Sequence, residues 1–559
     1  MGATGGGLQV TGAGVGMTGD GATGGAVVVG GGITGLAAAY QLTLAGTPVL
    51  LVEASERLGG KIRTERLDGF LVEAGPDSFI AYRPAALELC RELGLGDAII
   101  RTTDPRIVHI RARGEMIPMP EGMGLVLPTR MAPFVTTRLF SWPQKLRAGL
   151  DIVLPRWLDG EDVSIGAFLR HRLGGAMVDR LADPLLGGIY GAPVDELSLF
   201  AVVPQLRDYE REHRSLLLAS LAQGRAARAR ARAAAAASGP GSSRSGGGSA
   251  SAGGSAPAGG SASAGGSAPA GGSAPAGGSG SPFLSLAGGM GSLVDALADA
   301  VRAAPGAEIR LGTSVVGLDR AGARTTVTLS DGTRLTPDAI VLAGPAGSSA
   351  GLLEREVPAA AAAIRAIPHG STGVVTLGYR AQALAGPLVG HGFLVAGDDP
   401  LSFGACTFTS SKWAGRAPEG TILLRAFLPE RSAALLDAPD SSVVGAVHAD
   451  LARIVGVREG PIVQNVARWH EAMPRYTVGH LGRVAAAEAA LVARPEIVLA
   501  GAAFRGVGVP DCVARGRAAA ERVTALGGGA SPQPSSQRPQ RPPQPSSQRP
   551  QRPPYHSRD

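Results

Sequence analysis

The stretch Val27-Val28-Val29-Gly30-Gly31-Gly32-Ile33-Thr34-Gly35-Leu36 narrows the folds open to this chain more than any other. An apolar, β-branched run enters a glycine turn and leaves as a helix. Gly30, Gly32 and Gly35 stand in G-x-G-x-x-G spacing. Gly30 permits the tight turn, Gly32 lets backbone approach a pyrophosphate, and Gly35 lets helix pack on strand. The helix N-terminus then offers unpaired N–H groups to phosphates. A second apolar run, Val49-Leu50-Leu51-Val52, ends on Glu53, roughly 20 residues past the turn, where an acid reaches a ribose hydroxyl. Glycine spacing alone carries little in a chain with 83 glycines. Strand, turn, helix, second strand and acid in that order predict an α/β fold with a dinucleotide site.

Arg57-Leu58-Gly59-Gly60-Lys61 continues beyond the second strand, and Glu73-Ala74-Gly75-Pro76-Asp77-Ser78-Phe79 follows. Nicotinamide enzymes usually pass straight into the next βα unit. The glycine pair here resembles the second flavin fingerprint of the amine oxidase and protoporphyrinogen oxidase superfamily. The residues alone leave a plain surface turn open at Gly59-Gly60.

At 559 residues the chain has room for two or more domains. Residues 224–282 are almost all Gly, Ser, Ala, Pro and Arg, with near-copies of Gly-Gly-Ser-Ala-Pro-Ala. Such composition cannot bury enough apolar surface to offset ordering entropy and predicts a flexible linker. The Pro/Gln/Arg repeat at 533 and again at 544 reads as an extended, disordered tail over 527–559, and residues 1–24 read as an unfolded leader. Of the formal net charge of +7, the linker carries +5 and the tail +4, which leaves −2 elsewhere. The basic balance therefore does not argue for a nucleic-acid-binding fold. Cys90, Cys406 and Cys512 stand far apart with no C-x-x-C, which excludes a disulfide framework or zinc site by spacing and fits a reducing cytoplasm. No apolar run approaches the roughly 18 residues of a membrane span, and no secretory signal is visible.

Residues 25–87 form a first βαβ-type unit, and Pro84 to about Leu221 reads as mostly helical, with apolar three-and-four spacing over Ala85–Leu95, Val163–Leu173 and Met177–Leu186. Phe134, Leu139, Phe140, Trp142 and Trp157 lie among arginines and prolines. They fit either a membrane-facing helical region or a helical core with ordinary exposed aromatics. After the linker a helix is expected over Ser292–Ala303, then strands over Glu308–Leu318, Thr325–Leu329, Ala339–Ala343, Thr372–Tyr379, Leu401–Thr409 and Thr421–Leu428, forming an antiparallel substrate sheet. A last strand runs into the glycines of 501–508 and a helix from Val513, so first and last segments must meet in one nucleotide domain. The expected plan is 25–87, 283–320 and 487–526 for that domain, 88–223 for a helical region and 321–486 for a substrate domain.

Taken together, the ordered motifs resemble the flavin-dependent protoporphyrinogen/coproporphyrinogen oxidases of haem synthesis. They are Gly30 to Gly35, Glu53 to Lys61, Gly75 to Phe79, Pro118 to Gly122, Gly188 to Gly191, Glu210 to Leu216, Cys406 to Trp413, Tyr476 to His480 and Gly506 to Cys512. The resemblance implies a Rossmann-like FAD-binding domain interleaved with a mixed-sheet substrate domain and a helical region that rests on membrane. It implies FAD contacts at Gly30, Gly31, Gly32, Ile33, Thr34, Gly35, Glu53, Ala54, Lys61, Gly75, Pro76, Asp77, Ser78, Val315, Ala502, Val507, Gly508 and Val509. A valine backbone at 315 reads the adenine edge without charge, and the glycines of 506–508 allow close approach to the isoalloxazine.

By the same resemblance a basic residue before the Pro118 turn faces a tetrapyrrole propionate. Arg106 is the choice, with Arg111 and Arg113 as rivals, because a guanidinium fork suits a carboxylate. Leu185, Gly188, Phe393 and Leu394 match positions that sandwich the macrocycle. Arg475 stands where the family usually has Gln, and Leu428-Pro429 replaces a usual glycine pair. The implied reaction removes six electrons from a porphyrinogen, with hydride passing to flavin N5 and electrons to O2, so no side-chain acid or base is assigned. The implied partners are porphyrinogen, O2, a membrane surface and a neighbouring haem-pathway enzyme. Rival readings are a flavin amine oxidase, with Tyr476 and Phe504 as its aromatic cage, a non-catalytic flavin-binding partner, and a nicotinamide dehydrogenase.

Overall fold

A computed structural model describes residues 24–237 and 282–527, apart from Leu125, Ala323 and Pro400. The leader, the linker from 238 and the tail from 528 lie outside the described residues. The expected linker start at 224 shifts. A helix runs unbroken over Leu216–Ala237, because alanine and arginine are strong helix formers even where nothing packs on them.

Five parallel strands make the first sheet, in the order Ala307–Arg310, Val49–Val52, Ala26–Val29, Ala339–Leu342 and Ile497–Leu499. Both faces are covered, which is why these strands are apolar throughout rather than alternating. Ala26, Val28, Leu51 and Val341 pack under the helices Ile33–Leu44, Gly291–Arg302 and Val509–Gly527. Val27, Leu50, Ile340 and Leu342 pack under Ala346–Leu353, Pro358–Arg365 and His480–Ala490. The first and last described segments meet: a Cβ at Gly516 would lie 2.3 Å from the Thr34 carbonyl oxygen. The expected boundary at 320 is corrected. Ala339–Leu342 sits parallel beside Ala26–Val29 in this sheet, and the connection that leads to it is a three-stranded antiparallel sheet, Val315–Ala321, Arg324–Leu329 and Arg334–Leu335, rather than a helix.

The second sheet has seven strands, in the order Val463–Pro474, His369–Arg380, Thr421–Leu428, Ala405–Phe408, Gly392–Val395, Val108–Ala112 and Glu115–Pro118. It is mixed rather than antiparallel, because Val108–Ala112 runs parallel to Gly392–Val395. The hairpin 108–118 thus leaves the region read as helical and completes the substrate sheet. Val178–Gly187 forms a π-helix around Pro184, whose missing N–H breaks the ordinary ladder.

Phe134, Leu139 and Phe140 are core residues, whereas Trp142 and Trp157 are exposed at 64% and 39%. The helical region is locked by an ion cluster. Arg172 donates to Asp151 Oδ1 (2.6 Å) and to the carbonyl oxygens of Asp151, Pro155 and Arg214. The other Asp151 oxygen accepts from Ser215 Oγ and Leu217 N–H, and Glu210 accepts from Trp157 and Leu158 N–H. This explains the motif Glu210 to Leu216 as architecture. Arg172 and Asp151 are fully buried. Arg172→Met strands a buried carboxylate and should cost about 3–5 kcal/mol in urea unfolding; a loss below about 1 kcal/mol would show that the cluster does not anchor this region.

Candidate functional site

The turn Gly30–Gly32 bridges two parallel strands. Gly30 N–H donates to Val52 O (2.8 Å), its φ is +105°, and a Cβ there would lie 2.8 Å from Gly344 N. A Cβ at Gly35 would lie 1.9 Å from Gly30 O. Gly32 differs, because no atom lies within 4 Å of where its Cβ would stand. It caps the helix Ile33–Leu44 without a side-chain hydrogen bond, and the first turn holds no acid. The positive end of that helix therefore opens onto free space, as an anion site requires.

Glu53 accepts from Gly31 N–H (2.6 Å) and from Ser55 N–H and Oγ. Ala54 beside it is exposed. Backbone bonds from Glu53 to Arg310 and from Thr313 and Gly312 back to residues 53 and 55 bring Val315 to the same edge. Gly59 N–H donates to Gly31 O (2.8 Å), and Gly60 packs on Gly32. The glycine pair is thus a wall of the cradle rather than a free surface turn. Lys61 is accessible yet enclosed enough that burial lowers its ammonium pKa, and it acts electrostatically on Cys512 and His369.

Gly75 is pressed against Lys61 O, with a Cβ distance of 1.7 Å. Asp77 departs from the expected direct role. Its carboxylate accepts from Lys412 Nζ (3.1 Å), Trp413 Nε1 (3.1 Å) and Ser78 Oγ (2.7 Å), with Arg425 at 3.7 Å. Burial alone would raise this carboxyl's pKa, but Lys412 and Arg425 hold it well below the usual range. Asp77 ties the segment to the seven-stranded sheet, so only the backbone of Gly75–Ser78 remains for a ligand. Arg425 also donates to Gly75 O, and Trp469 Nε1 to Ala74 O (2.8 Å). Sequence reasoning missed both. The signal for Arg425 was a lone charge inside the apolar strand Thr421–Leu428.

Opposite the cradle runs the segment Gly501–Val509. Tyr476 Oη donates to Ala502 O and accepts from Gly506 N–H, each at 2.6 Å. Its ring stacks on His480 (3.9 Å), whose Nε2 bonds Phe504 O at 2.9 Å. Burial lowers the His480 pKa to about 4, so the ring is neutral. Val507 packs on the same core as Leu185 and Tyr190, and Val509 is buried at the start of the C-terminal helix. Gly508 precedes that helix, and Cys512 N–H donates back to its carbonyl oxygen.

The expected macrocycle residues divide. Gly188 is exposed with nothing within 4 Å of a Cβ, and Leu185 is half-buried beside it. Leu394 is half-buried and shares its sheet face with Ile110, Ala405, Phe427 and Val374 by register. Phe393 is corrected. It is 2% exposed and packs against Phe403 and Phe408 in the sheet's other core. Successive strand residues point to opposite faces, so 393 and 394 cannot line one cavity. Among the arginines, Arg111 is held by Asp399 (2.7 Å) and Arg113 donates to Arg138 O (2.9 Å). Arg106 lies in the loop before Val108–Ala112 and pairs with the exposed Asp104 at 3.1 Å.

The profile of the family described as flavin-containing amine oxidoreductase matches residues 33–524. The chain belongs to that family. A coproporphyrinogen III oxidase of Propionibacterium freudenreichii is 52% identical over 498 residues, covering 89% of this chain and 90% of that one. The Bacillus subtilis protein of the same name is 33% identical over 88% of this chain and 96% of its own length. A protoporphyrinogen oxidase of Bos taurus is 31% identical over 89% and 98%. A solved structure from Exiguobacterium sp. 255-15 has a TM-score of 0.71 at 30% identity, covering 89% of this chain and 98% of that chain. The cofactor class of the family is a flavin, and the open space at Gly32, faced by an uncapped helix, fits a flavin nucleotide's phosphate.

Gly32→Val should abolish visible flavin absorbance while leaving the unfolding midpoint of the flavin-free protein nearly unchanged. Gly35→Ala should lower that midpoint itself. Equal effects of the two substitutions would contradict the division of roles. For His480 the folded pKa lies below the ordinary value, so the folded state binds fewer protons than the unfolded chain. Its contribution is full above about pH 6.5 and is lost as pH falls toward 4, amounting to roughly 3 kcal/mol. His480→Gln should flatten the stability profile over that window; an unchanged slope would place the loss elsewhere.

Proposed function

We propose that this chain oxidises a porphyrinogen, foremost coproporphyrinogen III, using FAD and molecular oxygen. The identity shared with the Propionibacterium relative over nearly its whole length carries the reading. FAD rather than a mononucleotide is supported by the Glu53 carboxylate at the end of the second strand, where the ribose of a second nucleotide would sit. Glu53 and Val315 lie at one edge of the glycine turn, and Tyr476 braces the glycines of 501–508 at the other wall. FAD, when bound, supplies two-electron oxidation and passes the electrons to oxygen.

The chain's own work is to bind, orient and exclude water. Leu185, Gly188 and Leu394 offer apolar or open surface to a wide macrocycle, and Arg106 offers a guanidinium to a propionate. The amine oxidase alternative needs an aromatic cage. Tyr476 and Phe504 do not supply one, since the Tyr476 hydroxyl is bonded to Ala502 O and Gly506 N–H and the Phe504 ring is buried in the core on one face of the parallel sheet. The reading extends to a peripheral membrane contact at the exposed cluster Trp142, Leu146, Leu150, Val153 and Trp157, beside Lys145 and Arg156. No helix among the described residues is long and apolar enough to cross a membrane.

Anaerobic mixing of the flavin-loaded protein with each porphyrinogen tests the reaction. Coproporphyrinogen III should bleach the flavin, and porphyrin fluorescence should appear. Bleaching by amines with release of ammonia, and none by porphyrinogens, would install the rival. Arg106→Ala should raise KM about tenfold, the value of one charge-assisted carboxylate contact; an unchanged KM would remove Arg106 from the site.

A further inference from the structure

Beside the turn Gly506–Gly508 stands a cluster of ionisable side chains that the reaction as described does not use. Arg83 precedes the helix Pro84–Glu92, and Pro84 holds it in extended backbone, φ −106° and ψ 105°. Its Nη1 bonds Asp511 Oδ1 in the first turn of the helix Val509–Gly527. The two side chains remain 17% and 19% exposed. Asp511 is pressed onto the turn, since a Cβ at Gly506 or Gly508 would lie 2.6 Å or 3.0 Å from its atoms.

Tyr190 approaches from the helical region, two residues after Gly188, and its ring centroid is 6.1 Å from that of Tyr476. It lies within electrostatic reach of Arg83, Asp511 and Tyr82. Burial pushes the Tyr190 phenol up to about 12, so it keeps its proton and can donate. Ile189 between them is 50% exposed, which marks this junction as open. A guanidinium carries five donors. Among the described residues only Asp511 takes a hydrogen bond from Arg83, and none of its nitrogens is a sealed, unsatisfied atom.

We propose that Arg83, steadied by Asp511 and flanked by Tyr190, is a second carboxylate-binding group of the cleft and receives a propionate of the macrocycle. The proposal rests on the porphyrinogen reading. Coproporphyrinogen III carries propionates where protoporphyrinogen IX carries vinyl groups. Each carboxylate drawn out of water into the cleft needs a cation and donors of its own, or its desolvation opposes binding. Arg106 answers one of them. Protoporphyrinogen IX keeps two of the four propionates; Arg83 answers one of the two that it lacks, so it sets the preference between the two substrates.

The test uses flavin-loaded Arg83→Gln and Arg83→Lys proteins. One readout is the ratio of kcat/KM for coproporphyrinogen III over protoporphyrinogen IX. The other is fluorescence titration with coproporphyrin III and protoporphyrin IX. Arg83→Gln should lower the ratio and the coproporphyrin III affinity each about tenfold, chiefly through KM, with protoporphyrin IX affinity within about twofold. Arg83→Lys should restore most of the loss. An unchanged ratio and affinity, or an equal loss for both porphyrins, overturns the proposal, the latter making Arg83 a support for the turn. If Arg83→Gln sheds its flavin, the pair Arg83→Gln with Asp511→Asn, which strands no charge, decides by the same readouts. Wild-type protein that oxidises neither porphyrinogen would sink the functional reading, and the titrations would still judge Arg83.

Discussion

Asp77 leaves the backbone of Gly75–Ser78 and lodges between Arg425 of the seven-stranded sheet and Lys412 and Trp413 at the end of the short helix Thr409–Lys412. An isolated carboxylate so deeply buried would cost several kcal/mol or take up a proton. Here burial is outweighed by two cations and hydrogen bonds from Ser78 and Trp413, so the charged form is favoured. The joint is reinforced by Trp469 on Ala74 and Asn465 on Glu65. These contacts fasten the segment from Glu65 to Ser78 onto the seven-stranded sheet and the turn of helix at Thr409–Lys412.

Glycine serves two opposite purposes around the cleft. At Gly35, Gly75 and Gly516 it lets backbone touch backbone, with would-be Cβ atoms 1.9, 1.7 and 2.3 Å from carbonyl oxygens. Those contacts pull the turn, the 73–78 segment and the C-terminal helix into one rigid wall. At Gly32 and Gly188 nothing stands where a side chain would be. At Gly32 this leaves the N-terminus of the helix Ile33–Leu44 open. The same residue type therefore marks both the frame and the opening, and only the surroundings tell them apart.

That distinction also governs how far the residues could be read without coordinates. The turn at Gly30–Gly35 was legible because its constraint is local, set by sterics within a few residues. The pairing of first and last segments was legible because both carried glycine-rich strand-to-helix turns. Phe393 was misread because face parity depends on register with Val108–Ala112, nearly three hundred residues away in the chain. The boundary at 320 failed for a related reason. Ala339–Leu342 is apolar like any buried strand, and nothing in its own residues says that Ala26–Val29 is its neighbour. Arg425 and Arg83 act through partners that sequence proximity cannot supply, since Asp77 and Asp511 lie 348 and 428 residues away, respectively, along the chain.

The wall opposite the cradle shows why such distant partners matter. The backbone of 501–508 carries three glycines, Gly501, Gly506 and Gly508, and has little stiffness of its own. Tyr476 restrains it from one side through Ala502 and Gly506, and Asp511 fills the space behind Gly506 and Gly508 from the other. Tyr476 is in turn set by His480, and Asp511 by Arg83. The turn thus takes its shape from side chains that come from the substrate sheet's edge, the C-terminal helix and the first helical segment. A fold shared with oxidases of other substrates can keep this brace while the groups around it change; in the function proposed above the brace belongs to the cofactor's side of the cleft, and Leu185, Leu394 and Arg106 belong to the substrate's side.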